Sequence, residues 1–302
     1  MTHSPHRRTL LIAGAALPLM LALDALDALD ALGASGAPSP NSVDARFADL
    51  ERASGGRLGV CAIDTANGAQ ISYRSDERFP FCSTFKLMLA AAALAHGTLV
   101  AGFMQQRVRY ARRDLVTYSP VSSRHVESGM TVEELCAAAI QYSDNTSANL
   151  LMNMLGGPAA VTAFARSIGD AEFRLDRRET ELNTAIPGDA RDTSTPAAMA
   201  QSVRALCVGD ALPAPQRAQL QDWLRGNTTG AKRIRAGVPP GWQVGDKTGT
   251  GERGTANDVG VLWLAARKPV VLAVYHTQQV VHAQPNDAII AAATRVVMRA
   301  FG

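Results

Sequence analysis

Four groups of residues in this chain carry side chains suited to bond-breaking chemistry, and the first is Phe79-Pro80-Phe81-Cys82-Ser83-Thr84-Phe85-Lys86. Ser83 and Lys86 stand three apart at the head of an apolar run, Leu87 to Leu94, that reads as a helix. Residues three apart share a helix face, so the hydroxyl and the amine can address one cavity. A serine hydroxyl is a poor nucleophile until a base takes its proton. A lysine can be that base when burial or a cationic neighbour lowers its pKa. The helix start also directs backbone N–H groups at a developing oxyanion. Nucleophilic acyl transfer is the chemistry this pairing suggests. Ser-x-x-Lys by itself is cheap, expected by chance about once in a chain this long.

The second group is Ser143-Asp144-Asn145, which follows the apolar run Leu135–Ile140 and opens another helix. Ser and Asp in that place are good N-caps, a purely structural reading. The functional reading gives Ser143 a proton to relay to a leaving group and Asn145 an amide for a substrate carbonyl. The third group, Lys247-Thr248-Gly249-Thr250, ends a strand containing Trp242 and Val244. Lysine there could protect a solvated strand edge. Alternatively Lys247 and Thr248 face a substrate carboxylate, with Gly249 letting the substrate approach the backbone. The fourth is the charged loop from Arg177-Arg178-Glu179-Thr180-Glu181-Leu182-Asn183 to Pro187-Gly188-Asp189-Ala190-Arg191-Asp192. It lacks helical or strand period, and its length suits either solvated surface or a packed functional loop.

The elements that must position these groups follow from periodicity. Residues 44–53 read as a short helix with Phe47 and Leu50 inward. Residues 57–65 and 69–74 alternate as strands around Asn67-Gly68, a strong hairpin signal. Helices are expected over residues 83–95, 131–141, 145–155, 158–168, 195–208 and 215–225, with Thr131 and Glu134 as a capping box. Strands return over residues 243–250, 258–264 and 270–277, and residues 288–300 close the chain as a helix. The expected class is α+β. A mostly antiparallel five-stranded sheet is built from both chain ends (residues 38–81 and 226–302) and flanked by helices. An all-helical domain (residues 82–225) is inserted, and the cleft lies at the junction, beside Ser83.

The bulk numbers narrow the function classes. The 302 residues can bury a substantial core. At 47% apolar and 19% charged the balance is that of a soluble globular protein. The net charge of +3 is spread out with no basic block, which gives nucleic-acid binding no support. The six histidines show no ligand spacing, so neither metal nor cofactor is expected. At the N-terminus, His6-Arg7-Arg8 precedes an apolar run to Leu23 and a small-residue zone at residues 33–37, the pattern of a signal peptide over residues 1–37. The run is too short to span a bilayer, so no stable membrane anchor is expected. The Arg-Arg pair suggests twin-arginine export. That route moves folded chains out of a reducing compartment, and all four cysteines (Cys61, Cys82, Cys136, Cys207) are expected reduced.

Ser83-x-x-Lys86, Ser143-Asp144-Asn145, Glu179-x-x-x-Asn183 and Lys247-Thr248-Gly249, in this order, resemble the class A serine β-lactamases. The resemblance runs from about Asp44 to Gly302. Asp76-Glu77-Arg78-Phe79-Pro80, Tyr142, and Pro187-Gly188-Asp189 with Arg191-Asp192 resemble the chromosomal, twin-arginine-exported members of Gram-negative bacteria. The resemblance implies hydrolysis of a β-lactam, penicillins and some cephalosporins, through an acyl-enzyme on Ser83. Lys86 shares the proton transfer, and Glu179 activates the deacylating water that Asn183 helps hold. Which of Lys86 and Glu179 takes the acylation proton stays open. Backbone N–H groups of Ser83 and Thr250 form the oxyanion hole, and Ser143 protonates the departing nitrogen. Asn145 meets the substrate side-chain amide, and Lys247, Thr248 and Thr250 bind its carboxylate, with Gly249 between them. Tyr118 flanks the cleft, and Arg177 with Asp192 pins the loop carrying Glu179. A monomeric periplasmic enzyme of antibiotic resistance is implied.

Three departures from the family pattern stand out. Ala256 occupies the place of a carboxylate-binding arginine, and Arg233 resembles the substitute some relatives use. Cys136 is one half of the disulfide common in the family, but Ala90 stands at the position of its partner, so that bridge is expected to be absent. Gly251 stands where carbapenem-hydrolysing members often carry a cysteine tied to one like Cys82, which argues against a dedicated carbapenemase. The rival readings are a penicillin-binding DD-peptidase, which lacks a carboxylate like Glu179, and a membrane-tethered β-lactam sensor.

Overall fold

The strands expected at the two ends of the chain meet in one sheet, seen in a computed structural model that describes residues 42–301. The signal peptide read over residues 1–37 lies outside the described residues, as does most of the linker that follows it. The strands are β1 (Arg57–Asp64), β2 (Gln70–Tyr73), β3 (Gln243–Thr250), β4 (Ala256–Leu264) and β5 (Arg267–Thr277). They run antiparallel in the order β2-β1-β5-β4-β3. Both faces are covered, so the alternation separates two cores rather than core from solvent. Leu58, Val60 and Ala62 of β1 pack with Phe47 of α1 (Val43–Ser54) and with Ile290 and Val297 near the C-terminus. Cys61 and Ile63 face the other way, into the larger core.

That larger core joins the sheet to the helical block: α2 (Phe85–Leu99), α3 (Val132–Gln141), α4 (Asn145–Leu155), α5 (Pro158–Ser167), α6 (Pro196–Cys207) and α7 (Ala214–Arg225). The last helix, α8 (Asp287–Ala300), lies with α1 on the opposite face. The described residues form one unit. Capping follows the side chains. Thr131 Oγ1 accepts from Glu134 N (3.1 Å) while Glu134 Oε2 accepts from Thr131 N (2.7 Å), the expected reciprocal box. Thr195 Oγ1 caps α6 through Ala198 N.

Three of the boundaries that differ from the periodicity have a visible cause. β5 begins at Arg267 rather than Val270. Pro269 hides the extension, but as an acceptor for Thr65 N and Oγ1 it continues the β1–β5 ladder without needing a donor. The helix expected from Ser83 splits into a 3₁₀ turn, Cys82–Thr84, and α2, which continues past Gly97 to Leu99. Val43, expected in the linker, is the first residue of α1, because the Ser42 hydroxyl already caps it.

The turn carrying Ser83 rests on aromatics. Phe81 stacks on Phe173 (centroids 4.9 Å apart, 15° between planes) and touches Phe85 at 6.0 Å. All three rings have no solvent exposure. Phe81→Ala is expected to destabilise the chain by about 3–5 kcal/mol, measured by urea unfolding, because the stacked rings cannot close over the lost volume.

Candidate active site

Ser83 is held by a strained backbone. Cys82, immediately before it, has φ +47°, a left-handed conformation that a side chain rarely adopts. One turn on, Lys86 is fully buried. The Ser83 hydroxyl donates to Glu179 Oε1 (2.9 Å) and accepts from Lys86 Nζ (2.9 Å). Lys86 and Glu179 close the triangle at 2.8 Å, both side chains without solvent exposure. Lys86 Nζ also donates to the Ser143 carbonyl (2.9 Å) and to Asn145 Oδ1 (2.5 Å). Burial lowers the Lys86 pKa, and the Glu179 carboxylate opposes that shift.

Ser143-Asp144-Asn145 satisfies both of its readings. Asp144 is a structural cap. It is buried and accepts from Ser147 N, Val121 N, Ser122 N and Ser122 Oγ at 2.8–2.9 Å. With Asp144 fixed, Ser143 adopts φ +58° and turns its hydroxyl to Lys247 Nζ, 3.0 Å away. Asn145 Nδ2 donates to the Thr117 carbonyl (2.8 Å), which orients the amide.

β3 supplies Lys247, and the solvated-edge alternative fails: the residue is completely buried although β3 is an edge strand. The helical block covers that edge, and Lys247 Nζ donates to Ser143 Oγ and to the Thr248 carbonyl (2.8 Å). Desolvation, with Lys86 and Arg233 adding to it, holds its pKa well below the usual lysine range. Arg233, also buried, donates from Nη2 to Thr250 Oγ1 and from Nη1 to the Gly249 and Asn257 carbonyls, all at 2.7 Å. Asp287 pairs with its Nε at 2.7 Å.

Gly249 has a packing reason of its own: a Cβ there would lie 2.5 Å from the Phe81 carbonyl, so glycine lets β3 press against the Ser83 turn. A Cβ at Gly251 would likewise sit 2.6 Å from Cys82 Sγ. All four cysteines are free and buried. Burial pushes the Cys82 thiol far up, so Cys82 is packing and no rival nucleophile to Ser83.

The charged loop is packed, not solvated. Asp192 accepts from Arg177 Nε (2.5 Å), Arg177 N (2.9 Å) and Asp176 N (2.8 Å). Asn183 Nδ2 donates to Glu179 Oε2 at 2.6 Å. The Glu179 peptide is gripped from α4, where Asn149 Oδ1 accepts from its N–H (3.0 Å) and Asn149 Nδ2 donates to its carbonyl (2.8 Å). Sequence reasoning missed Asn149. Its signal was the spacing, four residues after Asn145 and so on the same helix face.

These side chains border a cavity of about 560 Å³ with Ser83, Ser143, Asn145 and Asn183 in its wall. Thr248, Thr250 and Arg233 line the opposite side, and Tyr118, 57% exposed with φ +62°, stands at the rim. Thr228 and Thr229 also line it and were not anticipated. They follow α7 in a stretch with no period, but Thr229 Oγ1 lies 2.5 Å from Thr248 Oγ1. A nucleophilic hydroxyl is thus bracketed by an ion pair, a second hydroxyl and two further cations.

Known proteins carry the same pattern. The model of the β-lactamase enzyme family matches residues 42–301. β-Lactamase OXY-2 of Klebsiella oxytoca is 52% identical over 98% of this chain and 99% of its own length. The carbapenem-hydrolysing β-lactamase KPC of the same organism is 56% identical over 87% of this chain and 90% of its own. The solved β-lactamase of Desulfarculus baarsii superposes with a TM-score of 0.86 at 55% identity, over 88% of this chain and 99% of that one. The chain belongs to the β-lactamase family, as a class A serine enzyme.

The Arg177–Asp192 contact makes a prediction. Asp192→Asn leaves a largely buried guanidinium unpaired and is expected to cost about 3 kcal/mol. Thermal unfolding checks the loss. A change within error of zero would show that the loop is held elsewhere.

Proposed function

We propose that this enzyme opens β-lactam rings through an acyl-enzyme on Ser83, and that the Ser83–Lys86–Glu179 triangle is the observation that carries the assignment. Ser83 Oγ attacks the lactam carbonyl carbon while its proton leaves to the buried base. The partners of Lys86 favour Glu179 as that base. The carboxylate of Glu179, the Ser143 carbonyl and Asn145 Oδ1 all accept from Nζ, an arrangement suited to an ammonium rather than a free amine. Before the attack the Lys86 ammonium stabilises the ionised glutamate; afterwards it gives one proton to Ser143 and takes back from Glu179 the one lost by Ser83, which leaves Glu179 ionised again. Backbone N–H groups of Ser83 and Thr250 receive the developing oxyanion, each such donor being worth roughly 3–4 kcal/mol. The C–N bond breaks, and Ser143, beside Lys247, delivers a proton to the ring nitrogen.

For deacylation, Glu179 takes a proton from a water that Asn183 helps hold. The hydroxide adds to the acyl carbonyl, the ester bond to Ser83 breaks, and the proton returns to Ser83. Lys247, Thr248, Thr250 and Arg233 form a cationic, hydroxyl-rich wall suited to the substrate carboxylate. Asn145 faces the side-chain amide, and Tyr118 flanks the opening. Gly249 acts by keeping β3 close to the Ser83 turn.

The wider reading stays with the family. Residues 1–37 act as a twin-arginine signal peptide, residues 38–81 and 226–302 form the sheet domain, and residues 82–225 form the helical domain. The mature enzyme is a monomer in the periplasm without a membrane anchor, acting on penicillins and some cephalosporins. Glu179 in contact with Ser83 stands against a DD-peptidase, which would lack a deacylating carboxylate.

A chromogenic cephalosporin distinguishes the readings. Wild type is expected to turn over continuously, while Glu179→Ala gives one stoichiometric burst or less, with the adduct on Ser83 found by mass spectrometry. A single burst from wild type would contradict the hydrolase assignment.

A further inference from the structure

Two carboxyl groups lie outside the roles above. Asp246 on β3 and Asp258 on β4 have no solvent exposure. Neighbours on a strand project to opposite faces, so Asp246 points away from Lys247. Thr248 pairs with Asp258 and Asp246 with Gly260, which places the two aspartates on one face. Gly230 is glycine for their sake, because a Cβ there would collide with Asp246 Oδ2.

Each carboxyl group is half satisfied. Asp246 Oδ1 accepts from Arg235 (2.7 Å from Nε, 2.6 Å from Nη2), and Asp258 Oδ2 accepts from Ile234 N (3.1 Å). Asp246 Oδ2 and Asp258 Oδ1 have no donor among the described residues, and the two groups are diagonal neighbours on one face of the β3–β4 ladder. Two ionised carboxylates so close and so buried repel. A single proton between them turns that repulsion into a hydrogen bond and gives both orphan oxygens a partner. Burial, with the Asp246 charge added, accordingly pushes the Asp258 carboxyl well above the usual range.

The pair touches the catalytic side through two routes. Its outer oxygens hold the turn Ile234–Ala236, which directly follows Arg233. Across β3 it acts on Lys247, which forms no ion pair among the described residues. Lys86 from α2 and Arg233 from the turn repel the Lys247 ammonium, while Asp258 and Asp246 attract it. Glu179 is already paired to Lys86, and Asp287 to Arg233.

We propose that Asp246 and Asp258 share one proton and form a positioning pair carrying a single negative charge. The pair fixes the turn behind Arg233 and keeps Lys247 an ammonium able to bind an anionic substrate. This rests on the reading that Arg233 and Lys247 receive the substrate carboxylate.

The charge count gives the test. Asp258→Asn and Asp246→Asn each keep one carboxylate beside one amide, so each preserves the single negative charge. The double variant removes it. The pH profile of kcat/KM for a penicillin reports groups of the free enzyme. Asp258→Asn is expected to keep the basic limb of wild type, whereas the double variant moves that limb about one unit lower, since Lys247 then loses its proton sooner. A displaced limb in Asp258→Asn, or an unmoved limb in a folded double variant, overturns the proposal. Infrared spectroscopy at neutral pH needs no double variant. Wild type is expected to show a protonated-carboxyl band that Asp258→Asn lacks, and its absence from wild type overturns the shared proton. Lys247→Met tests the underlying reading separately: an unchanged KM would sink the carboxylate assignment while the infrared result still judged the pair.

Discussion

An ammonium and a carboxylate in contact at 2.8 Å, both withdrawn from solvent, set the terms for everything around them. Desolvating two such ions costs several kcal/mol each, and their attraction recovers it only with good geometry and additional hydrogen bonds. Lys86 obtains those bonds from Ser83, Ser143 and Asn145, and Glu179 obtains them from Ser83 and Asn183. These partners come from the 3₁₀ turn before α2, the α3–α4 junction and the charged loop. The pair is satisfied only when all of them are in place, which makes the nucleophile's environment a property of the whole fold.

The rigid parts of the structure meet that demand. α4 grips the Glu179 peptide through Asn149, Asp192 anchors the loop through Arg177, and stacked Phe81 and Phe173 support the Ser83 turn. Strain gathers at the cleft. Cys82, Tyr118 and Ser143 all hold positive φ, at about 1–3 kcal/mol for each such residue. The surrounding core fixes conformations that an isolated loop would abandon, and Ser83 and the Ser143 hydroxyl face the cavity as a result.

Much of this was legible in the chain because local chemistry and function coincide. The hairpin at Asn67-Gly68, the Thr131–Glu134 box and the apolar period of α4 each announce an element from within a few residues. The four motifs likewise name the groups around the cavity. What stayed hidden depends on contacts far apart in sequence. Whether Lys247 protected an edge or lay buried was set by the helical block packed over β3, which no strand pattern reveals. The purpose of Gly249 lay in the Phe81 carbonyl, over a hundred residues away. Thr229 and Asn149 look like ordinary polar residues until Thr248 and Glu179 are placed beside them.

The central claim is that the resting site holds an ion pair poised to take the serine proton. Neutron diffraction of deuterium-exchanged crystals near neutral pH reads this directly. The account predicts three deuterons on Lys86 Nζ, none on Glu179, and the Ser83 deuteron directed at Glu179 Oε1. A neutral Lys86 amine facing a deuterated Glu179 would contradict it and return the acylation base to lysine.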